Sequence, residues 1–329
     1  EAPADSDLRT AAQQSWSDAM AVWQRADVMQ VGPAAPCCDA IGAADIRDMI
    51  YSWPITNPCR VDQELVEANY TERAAFRTEP PNVRGFDALE YLLFVDGDQN
   101  SCQFTSTINR DGLWAALSGD EIRDRRAAYS ATLAWDIRQS ARAIQDAWDP
   151  DGGDFVGELV RAGDGTSQFP TLQSAFNAIS DAMFWLEKEV KDIKVAVPSG
   201  ISIDCSEDVC PEEVESPYAN QSFQNIVHNV EGFQLLFLGA EPGIPAFGFD
   251  DYLTAVGSQD LAEEMAEQLT VILAVLEPID VSMADAVVND RQLVQDVYDA
   301  LKGLSDVLKT EFISVLDLEL PNRAEGDND

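Results

Sequence analysis

Residues 83–95 read VRGFDALEYLLFV and place two acids, Asp87 and Glu90, in an otherwise almost wholly apolar stretch. Positions i and i+3 of a helix are neighbours on one face, so the two carboxylates are expected to lie side by side. The leucines and aromatic residues around them leave little of the helix circumference for solvent. The stretch therefore predicts a buried helix whose acidic pair faces protein or a lined cavity.

Such a pair needs compensation, because two like charges about 5 Å apart repel by roughly 3 kcal/mol at an effective dielectric near 20, and burial adds a desolvation cost. A shared proton, an arginine or a metal ion would supply it. Arg84 lies three positions before Asp87 and offers an ion pair on the same face. Alternatively, the two acids are paired oxygen ligands, and Arg84 or Tyr91 holds them by hydrogen bonds.

Hydrophobic periodicity of the helical type runs through the chain, and alternating strand patterns are scarce. An all-α protein is therefore predicted. The longest helices are expected over residues 7–29, 118–148, 171–195, 218–238, 258–276 and 290–318. The helix over 118–148 begins with Ser118 and has Glu121 three positions on, the pattern of a capping box.

The length of 329 residues exceeds what one compact core usually holds, so two domains are expected. A polar, glycine-rich stretch places their boundary near residue 165, which gives an N-terminal bundle over 1–165 and a C-terminal bundle over 166–329. The segment SDAM occurs at 17–20 and again at 180–183. This repeat and a second weak sequence similarity between the two halves suggest that one bundle was duplicated; chance is the alternative.

The net charge is −38. This charge argues strongly against nucleic acid as a partner, because phosphate contacts need a basic surface. The charge fits cation binding, and it also fits a solubilising surface suited to a salty habitat. No run of 18 apolar residues occurs, so no membrane span is predicted.

Six cysteines occur, in loop-like contexts and without a C-x-x-C pair, so disulfides are expected rather than a zinc site. Cys205 and Cys210 form the easy local pair, while the other four allow three pairings. Disulfides indicate an oxidising compartment. The first residue is not methionine, which fits removal of a signal segment or a tag, and together these features favour a periplasmic or exported protein.

Three further residues are candidates for ligand contact. Trp53 lies in an aromatic irregular loop, where packing into a core is the alternative. His228 points away from the apolar stripe of its helix, toward solvent or the other domain. Glu241 lies in a turn rich in proline and glycine and could reach a ligand at a domain seam, or simply follow the end of the helix.

The single histidine excludes one class of enzyme. A zinc protease of the H-E-x-x-H kind needs two histidines on one helix, and the chain has only His228. A serine or cysteine nucleophile would have to use that same histidine as its base, and no G-x-S-x-G elbow accompanies it.

The segment GFDALE at residues 85–90, followed by YLLF at 91–94, resembles the G-x-H-x-x-E signature of imelysin-like proteins. Residues 50–54 (IYSWP), 225–233 (NIVHNVEGF) and 237–239 (FLG) support the resemblance, which covers nearly the whole chain. It implies two helical bundles related by duplication, an exported or lipid-anchored bacterial protein, and an association with iron uptake. The family's peptidase label comes with it, although the residues do not support that label.

Asp87 stands where the signature has histidine, which replaces a borderline metal ligand by a hard one. Gly85, Glu90 and, as a substituted position, Asp87 are carried over from the family. Iron, calcium or another hard cation would suit such oxygen ligands better than zinc. The alternative is that metal binding has been lost and that the position serves another ligand or none.

Three functions follow as hypotheses. In the first, the chain is a non-enzymatic protein of iron uptake whose acidic pair faces the domain seam and binds a cation or small polar ligand, with iron-transport proteins as partners. Its only contact with a membrane would be a lipid anchor. The second is a metal-dependent hydrolase with Glu90 as base. The third is a helical interaction module whose acids pair with Arg84 and are purely structural.

Overall fold

The computed structural model describes residues 3–36 and 40–321, and within these ranges it contains helices, turns and loops but no β-strand. The all-α prediction is confirmed. Cys37 and Cys38, whose pairing the sequence left open, lie outside the described residues. Each segment predicted from periodicity is helical, although the helix expected from residue 218 begins at Ser222. The segments 171–195 and 290–318 each change from α-helix to π-helix within their length.

The chain forms two compact units, each made of two stretches of sequence: Glu1–Met20 with Asp45–Gly153, and Ala21–Ala44 with Asp154–Asp329. The first helix, α1 (Pro3–Asp27), contributes residues to both units. The domains predicted on either side of residue 165, and their origin by duplication, stay predictions.

Unit 1 is built around one long helix. Besides the first part of α1, its helices are α2 (Pro58–Glu67), α3 (Arg73–Phe76), α4 (Gly85–Phe94), α5 (Thr107–Arg110) and α6 (Gly119–Trp148), with 3-10 turns at Arg47–Met49, Asn69–Thr71 and Pro81–Val83. The predicted cap is present, because Ser118 Oγ accepts from the Glu121 N–H at 3.2 Å. The Glu121 carboxylate accepts from Arg125.

The core of unit 1 lies where α6 packs on α4 and on the turns before it. The ring of Tyr129, on α6, stacks on Tyr70 at a centroid distance of 4.7 Å and meets Phe76 edge-on. Its hydroxyl donates to the carbonyl of Val83, two residues before the start of α4. The long helix thus fixes the start of the helix that carries the acidic pair.

Unit 2 contains the remaining helices and has a core of its own. They are α7 (Phe155–Val160), α8 (Leu172–Met183), a π-helix (Leu186–Ala196), α9 (Val197–Ser199), α10 (Ser222–Leu238), α11 (Phe249–Ala255), α12 (Gln259–Leu276), α13 (Met283–Asn289), α14 (Arg291–Val307), a second π-helical turn (Leu308–Phe312) and α15 (Ile313–Val315). Short 3-10 turns lie at Gly32–Ala34 and Pro211–Glu213. Buried residues at helical spacing on α14 (Val294, Val297, Leu301, Leu304) show why this segment is a helix.

The C-terminal part of α1 is held in unit 2 by buried polar contacts. Gln24 and Lys194 are each almost completely buried. Lys194 Nζ donates to Gln24 Oε1 at 2.7 Å and to Asn229 Oδ1 at 2.8 Å, and lies 2.8 Å from Glu215 Oε1. The buried ammonium is therefore paired and hydrogen-bonded, which is the condition for tolerating such a charge.

Two disulfides occur in the described residues, Cys59–Cys102 and Cys205–Cys210. The second is the local pair predicted from the sequence. Disulfides of this kind indicate an exported protein. None of the described helices combines the length and the hydrophobicity that a membrane-spanning segment requires.

Candidate functional site

The helix α4 (Gly85–Phe94), called the motif helix below, begins with a close approach of backbone to backbone. The N–H of Phe86 donates to the Ile50 carbonyl oxygen at 2.8 Å. Gly85 has φ +77°, and a Cβ at this position would lie 2.6 Å from the same oxygen. Only glycine meets both conditions without strain. The glycine of the motif therefore joins the loop around residue 50 to the motif helix.

Gly85→Ala is expected to lower the free energy of unfolding by about 2 kcal/mol or more, from the left-handed backbone and from the contact with Ile50. Gly97→Ala is a matched control, since Gly97 has φ +79° and nothing lies within 4 Å of its added Cβ. Denaturant unfolding of both variants separates the cost of the left-handed backbone from the cost of the contact with Ile50. Equal losses at the two positions would contradict the proposed contact.

Asp87 lies in the first turn of the motif helix and is 6% exposed. Its Oδ2 accepts two hydrogen bonds from Ser52, one from the backbone N–H at 2.7 Å and one from the hydroxyl at 3.0 Å. Burial raises the pKa of Asp87 to about 6, against the opposing effect of the Ser52 bonds and of the Arg47 charge. The carboxylate thus ties the motif helix to the segment after Ile50.

Glu90 lies one turn further along the motif helix and is 3% exposed. Both acids are therefore buried, as the apolar surroundings in the sequence predicted. The pair does not lie open to bulk water, so any ligand that meets it does so in a setting of low dielectric.

Arg84 does not form the ion pair with Asp87 that its spacing offered. Its Nε and Nη2 donate to the two carboxylate oxygens of Asp136 on α6, at 2.8 and 3.0 Å. Both side chains are buried, with Arg84 3% and Asp136 0% exposed. The structural alternative that paired Arg84 with Asp87 is therefore wrong. The reason is that Arg84 precedes the helix with extended backbone, so the i, i+3 spacing rule does not apply to it.

Tyr91 points to another acid. Its hydroxyl donates to Asp62 Oδ2 on α2 at 2.8 Å. Trp53 lies directly after the serine that binds Asp87; its side chain is half-buried and its carbonyl accepts from Arg47 at 3.3 Å. The structure therefore brings Gly85, Asp87, Glu90 and the backbone of Trp53 into one region of unit 1.

His228 and Glu241 belong to unit 2, where they share a charged group with Arg25. His228 Nδ1 lies 2.8 Å from Glu231 Oε2, and Arg25 Nε donates to that same oxygen at 2.7 Å. Arg25 Nη1 lies 3.5 Å from Glu241. Burial opposes ionisation of Glu231, but the bonds from His228 and Arg25 outweigh it and hold its pKa below its usual value. His228 is thus half-buried and paired, not a freely solvated histidine.

Three residues of the site region escaped sequence reasoning: Ser52, Asp62 and Asp136. Asp136 carried a signal, because it falls on the apolar stripe of α6 with Tyr129 and Leu133. An acid on a buried stripe demands a partner. Ser52 carried no signal of its own, since its role arises from a contact across 35 positions of sequence.

The donor set in this region does not match a resident metal site. Within residues 3–36 and 40–321, no group of three or more histidine, cysteine, aspartate or glutamate side chains is placed to hold a metal ion. Asp87 Oδ2 already accepts two hydrogen bonds from Ser52. A hard cation takes six or more oxygen ligands, so a free ion would find too few in this pair alone.

Two solved structures have a similar fold. One is described as a "putative iron-regulated protein A precursor" from Parabacteroides distasonis, with a TM-score of 0.65, 15% identity, and coverage of 92% of this chain and 82% of that one. The other is an imelysin-like protein from Psychrobacter arcticum, with a TM-score of 0.60, 17% identity, and coverage of 96% and 83%. At these identities the likeness shows the fold alone. A comparison with curated proteins finds no match.

The family model described as Imelysin (Peptidase_M75) matches residues 1–308. This range includes the motif helix with its glycine and both acids, as well as the helix of His228. On the strength of that match, the chain belongs to the imelysin family.

Proposed function

We propose that this chain is a non-enzymatic binding protein of bacterial iron uptake, exported to the periplasm or cell envelope, and that Asp87 and Glu90 contact its ligand. The observation that carries the proposal is the burial of both acids, 6% and 3% exposed, on the helix that bears the family motif. An acidic pair in such a setting favours a positively charged or hydrogen-donating guest.

The ligand is a small polar molecule, or a cation that brings donor atoms of its own. Two carboxylates cannot complete the coordination of a free hard cation, whereas a guest with further oxygens would need only the two contacts. Since the pKa of Asp87 is about 6, a cationic guest would displace a proton from it below that pH. Binding is therefore expected to strengthen as the pH rises through 6.

The association with iron is inferred from the description of a structural neighbour. One structural neighbour is described as iron-regulated, and the family resemblance in the motif points the same way. Proteins of iron transport are the partners that this role implies, and a lipid anchor would be its means of attachment to a membrane. The net charge of −38 continues to disfavour nucleic acid.

The hydrolase hypothesis receives less support from the geometry. A general base has to reach the proton that it removes, directly or through one water. The hypothesis assigns the base to Glu90 and also needs a metal ion with an open coordination position, and within residues 3–36 and 40–321 no group of three or more histidine, cysteine, aspartate or glutamate side chains is placed to hold one. The peptidase part of the family label is therefore not transferred to this chain.

A thermal-shift series tests the proposal. The wild type is melted with ferric citrate, calcium, magnesium and a polyamine. A ligand present at 100 times its Kd stabilises the folded state by about 2.7 kcal/mol, which is a rise in Tm of roughly 5 °C or more for a unit of this size. We expect such a rise with ferric citrate or the polyamine and none with free calcium or magnesium, and we expect Asp87→Asn and Glu90→Gln each to abolish it.

The control is Asp111→Asn, which changes an exposed acid of the same unit. It should leave the ligand-dependent rise intact. A wild type that responds to neither ferric citrate nor the polyamine would overturn the proposal, as would a rise that survives in both buried-acid variants.

A further inference from the structure

The segment that follows the motif helix is joined covalently to α2. The disulfide Cys59–Cys102 links residues 43 positions apart, with Cys59 in the first turn of α2 and Cys102 in the loop after α4. The neighbour of Cys102 in the chain, Ser101, lies against Asp62, which is one helical turn beyond Cys59. The disulfide and this acid therefore hold the same two pieces of chain together.

Asp62 connects that junction to the motif helix. Its Oδ2 accepts three hydrogen bonds, from the Tyr91 hydroxyl at 2.8 Å and from the Ser101 N–H and hydroxyl at 2.7 and 2.9 Å. Asp62 is fully buried, so each bond replaces contact with water that the carboxylate has lost. Tyr91 is thus anchored by an acid whose other bonds depend on where Ser101 lies.

Other contacts hold the loop on both sides of Ser101. Arg126 donates to the carbonyls of Gly97 and Gln99 at 2.8 and 3.2 Å, and the Asn109 side chain donates to the Cys102 carbonyl at 2.9 Å. Loss of the disulfide would therefore relax the turn at Ser101 without releasing the whole segment. A local opening of this kind is a change in one set of contacts and not an unfolding of the unit.

The two described disulfides differ in access to solvent. Cys59 and Cys102 are half-buried, whereas Cys205 and Cys210 are 8% and 5% exposed. A dithiol reaches an exposed disulfide more readily. Its thiolate attacks one sulfur to give a mixed disulfide, and its second thiol then displaces the protein sulfur. Two electrons and two protons pass to the cysteines, and the reagent becomes a disulfide.

We propose that the Cys59–Cys102 disulfide is a redox lock on the motif helix, which acts through Ser101, Asp62 and Tyr91. When a dithiol reduces it, Ser101 moves from Asp62, the anchor of Tyr91 weakens, and the helix that bears Asp87 and Glu90 loosens. The conformational lock is independent of any ligand. Its consequence, weaker ligand binding in the reduced protein, rests on the proposed function.

Hydrogen exchange measured by mass spectrometry tests the lock. In Cys59→Ser/Cys102→Ser, peptides covering the motif helix and the loop at 98–106 are expected to exchange about tenfold faster than in the wild type, the effect of losing one hydrogen bond to a buried charge. Peptides from α6 serve as the internal reference for global unfolding. The control Cys205→Ser/Cys210→Ser should leave the motif helix unchanged.

Tyr91→Phe provides the deciding background, because it removes the hydroxyl bond to Asp62 and keeps the ring. In this background, removing Cys59 and Cys102 should still speed exchange in the loop but should add nothing in the motif helix. If the motif helix is unaffected by the cysteine pair, or responds equally with and without the Tyr91 hydroxyl, the lock is refuted. Should the serine variant fail to fold, the folded wild type treated with dithiothreitol gives the same measurement, with the reduced pair identified by alkylation.

Discussion

Asp136→Ala is expected to lower the free energy of unfolding by about 3–5 kcal/mol, because it leaves a buried guanidinium without its counter-charge. Arg84 is 3% exposed, and both carboxylate oxygens of Asp136 accept from it. The partner variant Arg84→Ala should also be destabilising, since it leaves the fully buried carboxylate with only the longer contact to Arg77 Nη1 at 3.4 Å. Chemical denaturation at neutral pH measures both.

The double variant Arg84→Met/Asp136→Leu distinguishes the pair from two unrelated losses. It removes both charges and replaces them with apolar groups, so its cost should fall well below the sum of the two single losses. The exposed pair Arg110–Asp111 is the control, and Asp111→Ala should cause no measurable change. Additive losses at Arg84 and Asp136 would show that the two residues act separately.

The second large effect concerns pH. The pKa of Asp87 rises from 3.8 to about 6 in the folded protein, and burial is the main cause. The folded state therefore holds the proton more tightly than the unfolded state does. The stabilisation is fully present below about pH 4 and disappears as the pH rises through 6. At 1.36 kcal/mol per pKa unit, it amounts to about 3 kcal/mol at most.

Asp87→Asn isolates this contribution, because asparagine is neutral at every pH and close in shape to the protonated acid. Between pH 4 and pH 7, the wild type is expected to lose about 2.5 kcal/mol more of its unfolding free energy than the variant does. Urea unfolding at intervals across that range provides the comparison. Parallel curves would mean that Asp87 titrates normally and is not held in the apolar setting described.

The pKa of Glu64 predicts a second pH-dependent contribution to the unfolding free energy, at higher pH than that of Asp87. Its side chain is 0% exposed, and burial, together with the neighbouring charge of Glu79, raises its pKa from 4.5 to about 7. Glu64→Gln should therefore flatten the curve between about pH 4.5 and pH 7, a range that overlaps the Asp87 range and extends above it. The two variants together separate these acids from the general self-repulsion of a chain with net charge −38.

The helices could be predicted because their signal is local. A stripe such as Val294, Val297 and Leu301 on α14 is written in consecutive residues, and burial of that stripe is what makes the segment a helix. The same holds for the motif helix, where the apolar neighbours of Asp87 and Glu90 already indicated that both acids are buried. The local disulfide Cys205–Cys210 follows from short spacing alone.

The partners of the charged groups could not be predicted in the same way. The spacing rule suggested Asp87 for Arg84, yet the guanidinium binds Asp136, 52 positions away. The bond from Ser52 to Asp87 and the disulfide from Cys59 to Cys102 likewise join residues that are distant in sequence. Periodicity contains no information about such contacts, because they depend on how one helix is set against another.

The amino-acid sequence alone determined that this protein is helical, that its disulfides indicate an oxidising environment, and that two acids are enclosed in an apolar helix, since each of these depends on neighbours along the chain. Tertiary structure alone decided which group stabilises each buried charge: Ser52 for Asp87, Asp136 for Arg84, and Tyr91 with Ser101 for Asp62. A buried charge is stabilised by whichever donor or counter-charge packing brings within about 3 Å, and packing is a property of the folded chain.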